Sequence, residues 1–592
     1  MIKGPNQLDE RIPTEVNGIQ VNFCKNPQCQ NFGVPACTKR QPRGKGAEER
    51  GRDTYNVVGS GRGTPMLWCG FCGQYPTIKS NKGIHEELHR FWKLFDTIAI
   101  PTCPNQECPN HPIGIEQGKT HHYHSFGKTK AGSIRYRCKA CGRTFTTSTL
   151  SPTIRHRKPY KNAAIFRLLV NKVPFRRICE VEGVTMSTLY RKIDFIHRQC
   201  LSFAAERERN LPTMPLTRLY IGVDRQDYMI NWSDADDRRN IIFRAVGSAD
   251  NTTGYVFGLH LNFDSSLNPD DIEGDAIESG DYEVRPAYRR YARLWLRKDY
   301  VEAIKQTHAR RVGIHAGSLG GDIAATYEDI DKREDVEAFD NLDNDLALPK
   351  EGMQVRGEYT MYGHFFFLRK LLDNTEKVRF FLDQDSAFRA ACLSAFSDRI
   401  KEGRCDAFYV RINAEATIDE KRWILAENRR RMSTMKQLHS DLKDWQVKLL
   451  MIKDKMAQVT NIGKWQDRWV EHPFPNMGEP EKAMCYLTDI QGYDEDHLAW
   501  LYNKASLHAI DRFFMQVRRR LSLLERPINS SANLGRRWFG YGPYKPVIVG
   551  KLLDIFRVFY NFVEEGKNKQ TPAMRLGLAK SKITIENIIY YQ

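Results

Sequence analysis

Two short apolar stretches along the chain each close on an acid. Residues 219–223 (Leu-Tyr-Ile-Gly-Val) run into Asp224, and residues 378–382 (Val-Arg-Phe-Phe-Leu) run into Asp383. Their length and their aromatic and β-branched content predict buried strands, each delivering its acid at the C-terminal end. Two more strand-like runs, 240–246 and 253–261, follow the first acid and are parted by turn residues, which predicts a three-strand meander. From His508 to Arg520 the pattern changes to an apolar row at helical spacing without Gly or Pro, so Asp511 is expected on a helix. Upstream, Phe175–Glu182 reads as a helix after Pro174, Gly183 as a turn and 186–196 as a second helix, together a helix-turn-helix. Leu189, Ile193 and Ile196 fall on its inner face, leaving Ser187, Thr188, Arg191 and Lys192 for a DNA groove. A polar helical run spans about 420–457, with Trp423 and Trp445 inside it and Trp465 and Trp469 beyond. Each Trp is expected to fill the core of its own segment, the alternative being a stack on an unpaired base.

At 592 residues the chain exceeds one core and divides into three or more domains. No apolar run approaches ~18 residues, so no membrane segment is expected, and a soluble, cytoplasmic, nucleoid-associated chain is the expectation. The net charge of +18 lies wholly in residues 1–215, where 34 Lys and Arg face 16 Asp and Glu; the remainder holds 56 of each. Such a surplus attracts a polyanion through phosphate contacts.

The basic region also carries a cysteine repeat. Cys24 and Cys29 (C-x4-C) precede Cys69 and Cys72 (C-x2-C); Cys103 and Cys108 precede Cys138 and Cys141 in the same way, with Asn31 and Asn110 at matching places. Two pairs of thiolates on tight turns form the tetrahedral sulfur set of structural Zn2+, so two zinc ions are expected. Disulfides would need an oxidising compartment. Cys37 is left over, and His121, His122 and His124 are rival ligands in the second set.

Three acids in the order strand, strand, helix match the RNase H-like nucleases, and three hard oxygen ligands at one point can hold two divalent cations. The block from Leu382-Asp383-Gln384-Asp385-Ser386-Ala387-Phe388 to Phe396 resembles the second-acid motif of Mutator-like and related DDE transposases. Ala509-Ile510-Asp511-Arg512 through Arg518-Arg519-Arg520-Leu521 resembles the third-acid helix of bacterial insertion-sequence transposases, and the tail from Tyr560-Asn561-Phe562 to Leu578 is similar to their C-terminal end. The second cysteine set, ending Arg137-Cys138-Lys139-Ala140-Cys141-Gly142-Arg143, resembles the InsA-type zinc ribbon. The family usually has Glu as third acid, one methylene longer than Asp511. Glu525 is the substitute, and Asp385 and Asp227 are rivals of the first two acids. Were Asp511 and Glu525 on one helix, roughly 21 Å of rise would part them; Pro527 puts Glu525 at a helix end.

The resemblance implies a multidomain α/β protein. A first zinc ribbon occupies 1–95, a second 96–155 and the helix-turn-helix 156–212; an RNase H-like core at 213–540 carries insertions at about 264–370 and 413–500, and a helical tail fills 541–592. It implies a transposase in which Asp224, Asp383 and Asp511 hold two Mg2+ (or Mn2+), cleave transposon-end DNA and join it to double-stranded target DNA, acting as a homo-oligomer. Arg518, Arg519 and Arg520, with Arg536 and Arg537, are candidate phosphate contacts. The alternatives are a catalytically inactive zinc-ribbon and helix-turn-helix regulator, or a nuclease without joining activity. The acids at 270–275 and 340–345 lack EF-hand spacing and read as solvated loops.

Overall fold

The computed structural model describes residues 10–591 apart from 40, 43, 45–50, 60–63, 97–100, 116–120, 129–133, 147–151, 154–155, 232–235, 307–316, 334, 341, 343, 414–415, 464, 526–527, 530–536 and 539–542. The first cysteine set is built on an antiparallel hairpin, β1 (Tyr55–Gly59) and β2 (Pro65–Cys69), followed by α1 (Asn81–Asp96). The second is a three-stranded antiparallel sheet, β3 (Tyr123–Lys128), β4 (Ile134–Cys138) and β5 (Thr144–Thr146). Three helices follow: α2 (Asn162–Leu169), α3 (Phe175–Glu182) and α4 (Met186–Glu208). Gly183 ends α3 at φ 54°, a left-handed position that suits glycine, and the Thr185 side chain caps α4 by accepting from the Thr188 amide.

The central sheet begins with the expected meander, β6 (Arg218–Ile230), β7 (Ile241–Asp250) and β8 (Val256–Leu261). A short pair, β9 (Phe263–Asp264) and β10 (Met353–Gln354), brackets a segment holding α5 (Pro269–Glu278), α6 (Arg297–Gln306) and α7 (Leu319–Asp331). Helix α8 (Gly357–Leu371) then packs on β7 and β8. β11 (Lys377–Asp383) runs parallel to β6, and α9 (Ser386–Ala395) and α10 (Ser397–Lys401) lead to β12 (Cys405–Ile412), parallel to β11. After α11 (Ile418–Leu438) and α12 (Asp444–Met456) come β13 (Thr460–Ile462), β14 (Asp467–Glu471) and β15 (Lys482–Tyr486), then α13 (Glu495–Lys504), α14 (His508–Arg520) and α15 (Pro546–Phe562). The eight strands lie in the order β13-β14-β15-β12-β11-β6-β7-β8. No helix among the described residues is long and apolar enough to cross a membrane.

Several expectations need correction. Asp224 is not at the end of its strand: β6 continues to Ile230 because β7 pairs with it throughout, from Asp224↔Gly247 to Ile230↔Ile241. Its parallel partner does stop there, the β6–β11 pairing ending at Val223↔Leu382. Within the stretch read as an insertion at 264–370, α8 packs on β7 and β8 of the sheet. That read at 413–500 is partly sheet, because β13, β14 and β15 extend the outer edge of β12. Trp469 is buried and stacks on Tyr409, but Trp423 and Trp445 fill no core: they are 69% and 58% exposed, and α11 buries no residue.

By compactness the chain forms two bodies, 1–91 with 211–516 and 526–549, and 92–210 with 517–525 and 550–592. The helix-turn-helix and the tail, read as separate domains, therefore share one body. A buried Arg557–Glu208 pair at 2.5 Å, Phe203 edge-on to Phe562, and a Lys551–Asp194 pair join them.

Candidate active site and metal centres

Where β11 ends, the sheet register sets Asp383 beside Asp224, one step beyond the Val223↔Leu382 pair. Asp511 lies in the first turn of α14, whose Ile510 and Phe514 rest on two glycines of the sheet. A Cβ on Gly222 would stand 3.4 Å from Ile510 Cγ2, and one on Gly247 would stand 2.7 Å from Ile510 Cδ1 and 2.9 Å from Phe514 Cζ. Gly247 is the β7 partner of Asp224, so the bare backbone there lets the third acid's helix approach the first acid. Burial pushes the Asp224 carboxyl well above the usual carboxylate range, and the charges of Asp383 and Asp511 push it further. Burial also raises Asp383, against the opposing charges of Arg411 and Arg225. All three acids remain partly open to solvent. Among the described residues, only the two cysteine sets bring three or more possible ligand atoms all within 4.8 Å of one another, so the carboxylates are more widely spaced than that. Three carboxylates at this spacing would offer hard oxygen ligands to divalent cations.

The rival acids are engaged elsewhere. Asp385 caps α9, accepting from the Ala387 amide, and pairs with Arg225 at 2.7 Å. Asp227 faces Arg244 at 3.4 Å. Glu525 is exposed and pairs with Lys172 at 2.6 Å; α14 stops at Arg520, so Glu525 is not on Asp511's helix. Pro527 lies outside the described residues. In the acidic stretches, Asp270 and Asp275 pair with Arg297 and Arg290, while Asp340 is a buried hub accepting from Arg244 and Trp295. Asn341 and Asp343 lie outside the described residues.

Both cysteine sets close. The Sγ atoms of Cys24 and Cys72 are 3.3 Å apart and those of Cys29 and Cys69 3.7 Å; Cys103–Cys141 and Cys108–Cys138 repeat both distances. A tetrahedron of sulfurs about 2.3 Å from zinc has edges of about 3.8 Å, so both sets can hold structural zinc. Asn31 and Asn110 each donate to a ligand sulfur at 3.3 Å, on Cys69 and Cys138. Burial opposes ionisation of Cys138, but the backbone amide of Cys141 and the Asn110 side chain outweigh it and lower its thiol to about 6. His122 bonds Asn110 and Cys37 is exposed, and among the described residues none of His121, His122, His124 and Cys37 joins a cluster. The sequence reading missed Tyr55 and Tyr123. Each accepts from the first ligand's backbone amide (Cys24, Cys103) and shares its proton between two carbonyls just after the C-x4-C loop, Asn31 and Val34 for Tyr55, Asn110 and Ile113 for Tyr123. The signal was a Tyr 14 or 15 positions before each C-x2-C, where β-pairing sets it opposite Cys69 or Cys138.

On α4, Leu189, Ile193 and Ile196 are fully buried as expected, and Ser187 and Arg191 are exposed, with Thr188 half-buried. Lys192 departs from expectation: it is 4% exposed and donates to the Lys158 carbonyl, so it faces inward. Arg519 is exposed, whereas Arg520 is held by the Val170 carbonyl and Glu564. Arg536 lies outside the described residues, as does the Arg537 side chain. Comparison with known protein families, characterised proteins and solved structures finds no match to this chain.

Proposed function

We propose that the chain is a DNA transposase that binds the ends of its mobile element and catalyses metal-dependent cleavage and strand transfer. One observation carries the reading: acids separated by 159 and 128 residues of sequence are brought together, Asp383 beside Asp224 by the β6–β11 register and Asp511 by the seating of its helix on Gly222 and Gly247. The strand order β8-β7-β6-β11-β12, three antiparallel strands and then two parallel to the first, supports an RNase H-like core around them. Two Mg2+ ions, when bound, would supply the activation of a water or 3′-hydroxyl and the stabilisation of the leaving oxygen. Asp224, Asp383 and Asp511 would hold the cations, whose charge would offset the repulsion among the three carboxylates. Arg225 and Arg411 flank Asp383 and favour its charged form.

DNA reaches the protein through several basic surfaces. Ser187, Thr188 and Arg191 enter a groove. The second ribbon presents Phe126 with the Arg135 and Arg137 guanidinium groups 5.6 and 5.5 Å from its ring. Arg518 and Arg519 remain candidate phosphate contacts. A regulator that has lost catalysis is the second reading, favoured by the shorter third acid.

Strand cleavage of the element's own end DNA in Mg2+ or Mn2+ tests the proposal, using the intact chain and Asp224→Ala, Asp383→Ala, Asp511→Ala and Glu525→Ala. The expected result is loss of cleavage by at least 100-fold in the first three with end binding retained, and near-normal cleavage in Glu525→Ala. Tight end binding without cleavage by the intact chain would establish the regulator instead; activity surviving Asp511→Ala but not Glu525→Ala would overturn the third acid.

A further inference from the structure

We infer that metal in the first four-cysteine site is a folding staple of the sheet body, bracing the helices that follow the second acid, and that the second four-cysteine site has no such role. The two sites share their sulfur geometry but differ in what surrounds them. The second is closed by residues of its own segment: its buried cluster joins the ligands Cys103, Cys108 and Cys138 to Ile115, Tyr123 and Tyr136. The first incorporates Ala287, with Tyr288 packed against it, from a segment more than 200 residues later, and the Tyr288 hydroxyl donates to the Arg11 carbonyl.

Contacts from the first site's ligand loop reach α9 and α10. Lys25, next to ligand Cys24, is buried; its ammonium lies 4.0 Å from the Phe23 ring centroid and donates to Ser394 Oγ on α9 at 2.5 Å. Gly33, at φ 65°, lies so near α10 that a Cβ there would stand 3.1 Å from both Ser397 Cβ and Lys401 Nζ. Gln28 donates to the Asp489 carbonyl. Beyond the hairpin, buried Lys79 pairs with Asp335 at 2.5 Å and stands 3.6 and 3.8 Å from Glu358 and Glu337. The Ser80 amide donates to Tyr359 on α8, and Gly363 of the same helix lies against Glu87 and Phe91.

These contacts require the C-x4-C loop and the β1–β2 hairpin to hold a fixed mutual position. A segment this short cannot do that by apolar burial alone, and its metal-binding free energy becomes folding free energy. None of the brace contacts involves Asp224, Asp383 or Asp511, so the brace stands or falls apart from the strand-transfer reading.

Amide hydrogen exchange and zinc content of the full chain test it, comparing Cys29→Ser/Cys72→Ser with Cys108→Ser/Cys141→Ser. Both double variants should carry one zinc per chain instead of two. Protection across 386–401 and 355–363 should fall at least 10-fold in the first and stay unchanged in the second. Unchanged protection in a first-site variant that has lost its zinc overturns the inference, as does an equal loss in both. If the first-site variant does not fold, Lys25→Met decides: it should keep both zincs yet lose protection across 386–401, and intact protection there overturns the brace.

Discussion

At Asp224 a half-buried carboxyl stands near two others and, without a cation, holds its proton to higher pH than an unfolded aspartate would. An acid whose native pKa is raised binds more protons folded than unfolded, so its contribution to stability falls as pH climbs from about 3.9 through the raised native value. Protein in chelator should therefore lose stability over that window and regain it on adding Mg2+. Asp224→Asn keeps the shape and removes the charge, so it should be more stable than wild type at neutral pH in chelator, by about 1 kcal/mol, and should gain nothing from Mg2+. Denaturant unfolding at several pH values checks both; identical pH slopes in the two proteins would mean that the acids do not interact as described. A carboxyl that is costly to the metal-free fold is what the proposed cation site would require.

Elements were legible where their periodicity was strong. The meander, the Asp383 strand, the Asp511 helix and both helices of the helix-turn-helix stand where the apolar pattern places them. Local pattern could not show that β6 runs past Asp224, since strand length depends on a distant partner, nor that β13, β14 and β15 join the sheet. It misjudged Lys192 because a long apolar stem can lie inside while its ammonium finds a carbonyl. It also gave no meaning to Gly222 and Gly247, whose missing side chains seat α14 on the sheet. Gly247→Val should lift α14 off β7, at a cost of about 1–3 kcal/mol from overpacking, and weaken divalent-cation binding at the carboxylates about 10-fold by moving Asp511 away. Isothermal titration with Mn2+ and thermal unfolding would measure the two effects. Unchanged Mn2+ affinity in a destabilised variant would show that α14 does not set the third acid's position.

At the scale of the molecule, chain order and spatial order part company. The basic first third, which holds the whole net charge, is not one body: residues 10–91 belong with the sheet, and 92–210 join the chain's last stretch. Composition could reveal the charge asymmetry but not this division, because docking between segments some 350 residues apart leaves no local periodicity. The buried Arg557–Glu208 pair, the His197–Asp554 contact at 2.9 Å and the Phe203–Phe562 contact tie α4 to α15. In a fragment of residues 92–210, α2 and α3 still pack on α4, but Glu208 and Phe203 lose these partners and the C-terminal half of α4 loses the cover that α15 gives it. That fragment should bind one zinc through its own cysteines yet show a broad, weakly cooperative thermal transition. Adding residues 546–592 in trans should sharpen the transition and protect α4 amides. Breaking the buried pair in the full chain by Arg557→Met leaves Glu208 without its cation and should cost about 3–5 kcal/mol. A sharp transition in 92–210 alone, unchanged by the tail, would mean that α4 folds without α15 and that the tail is an accessory to this body.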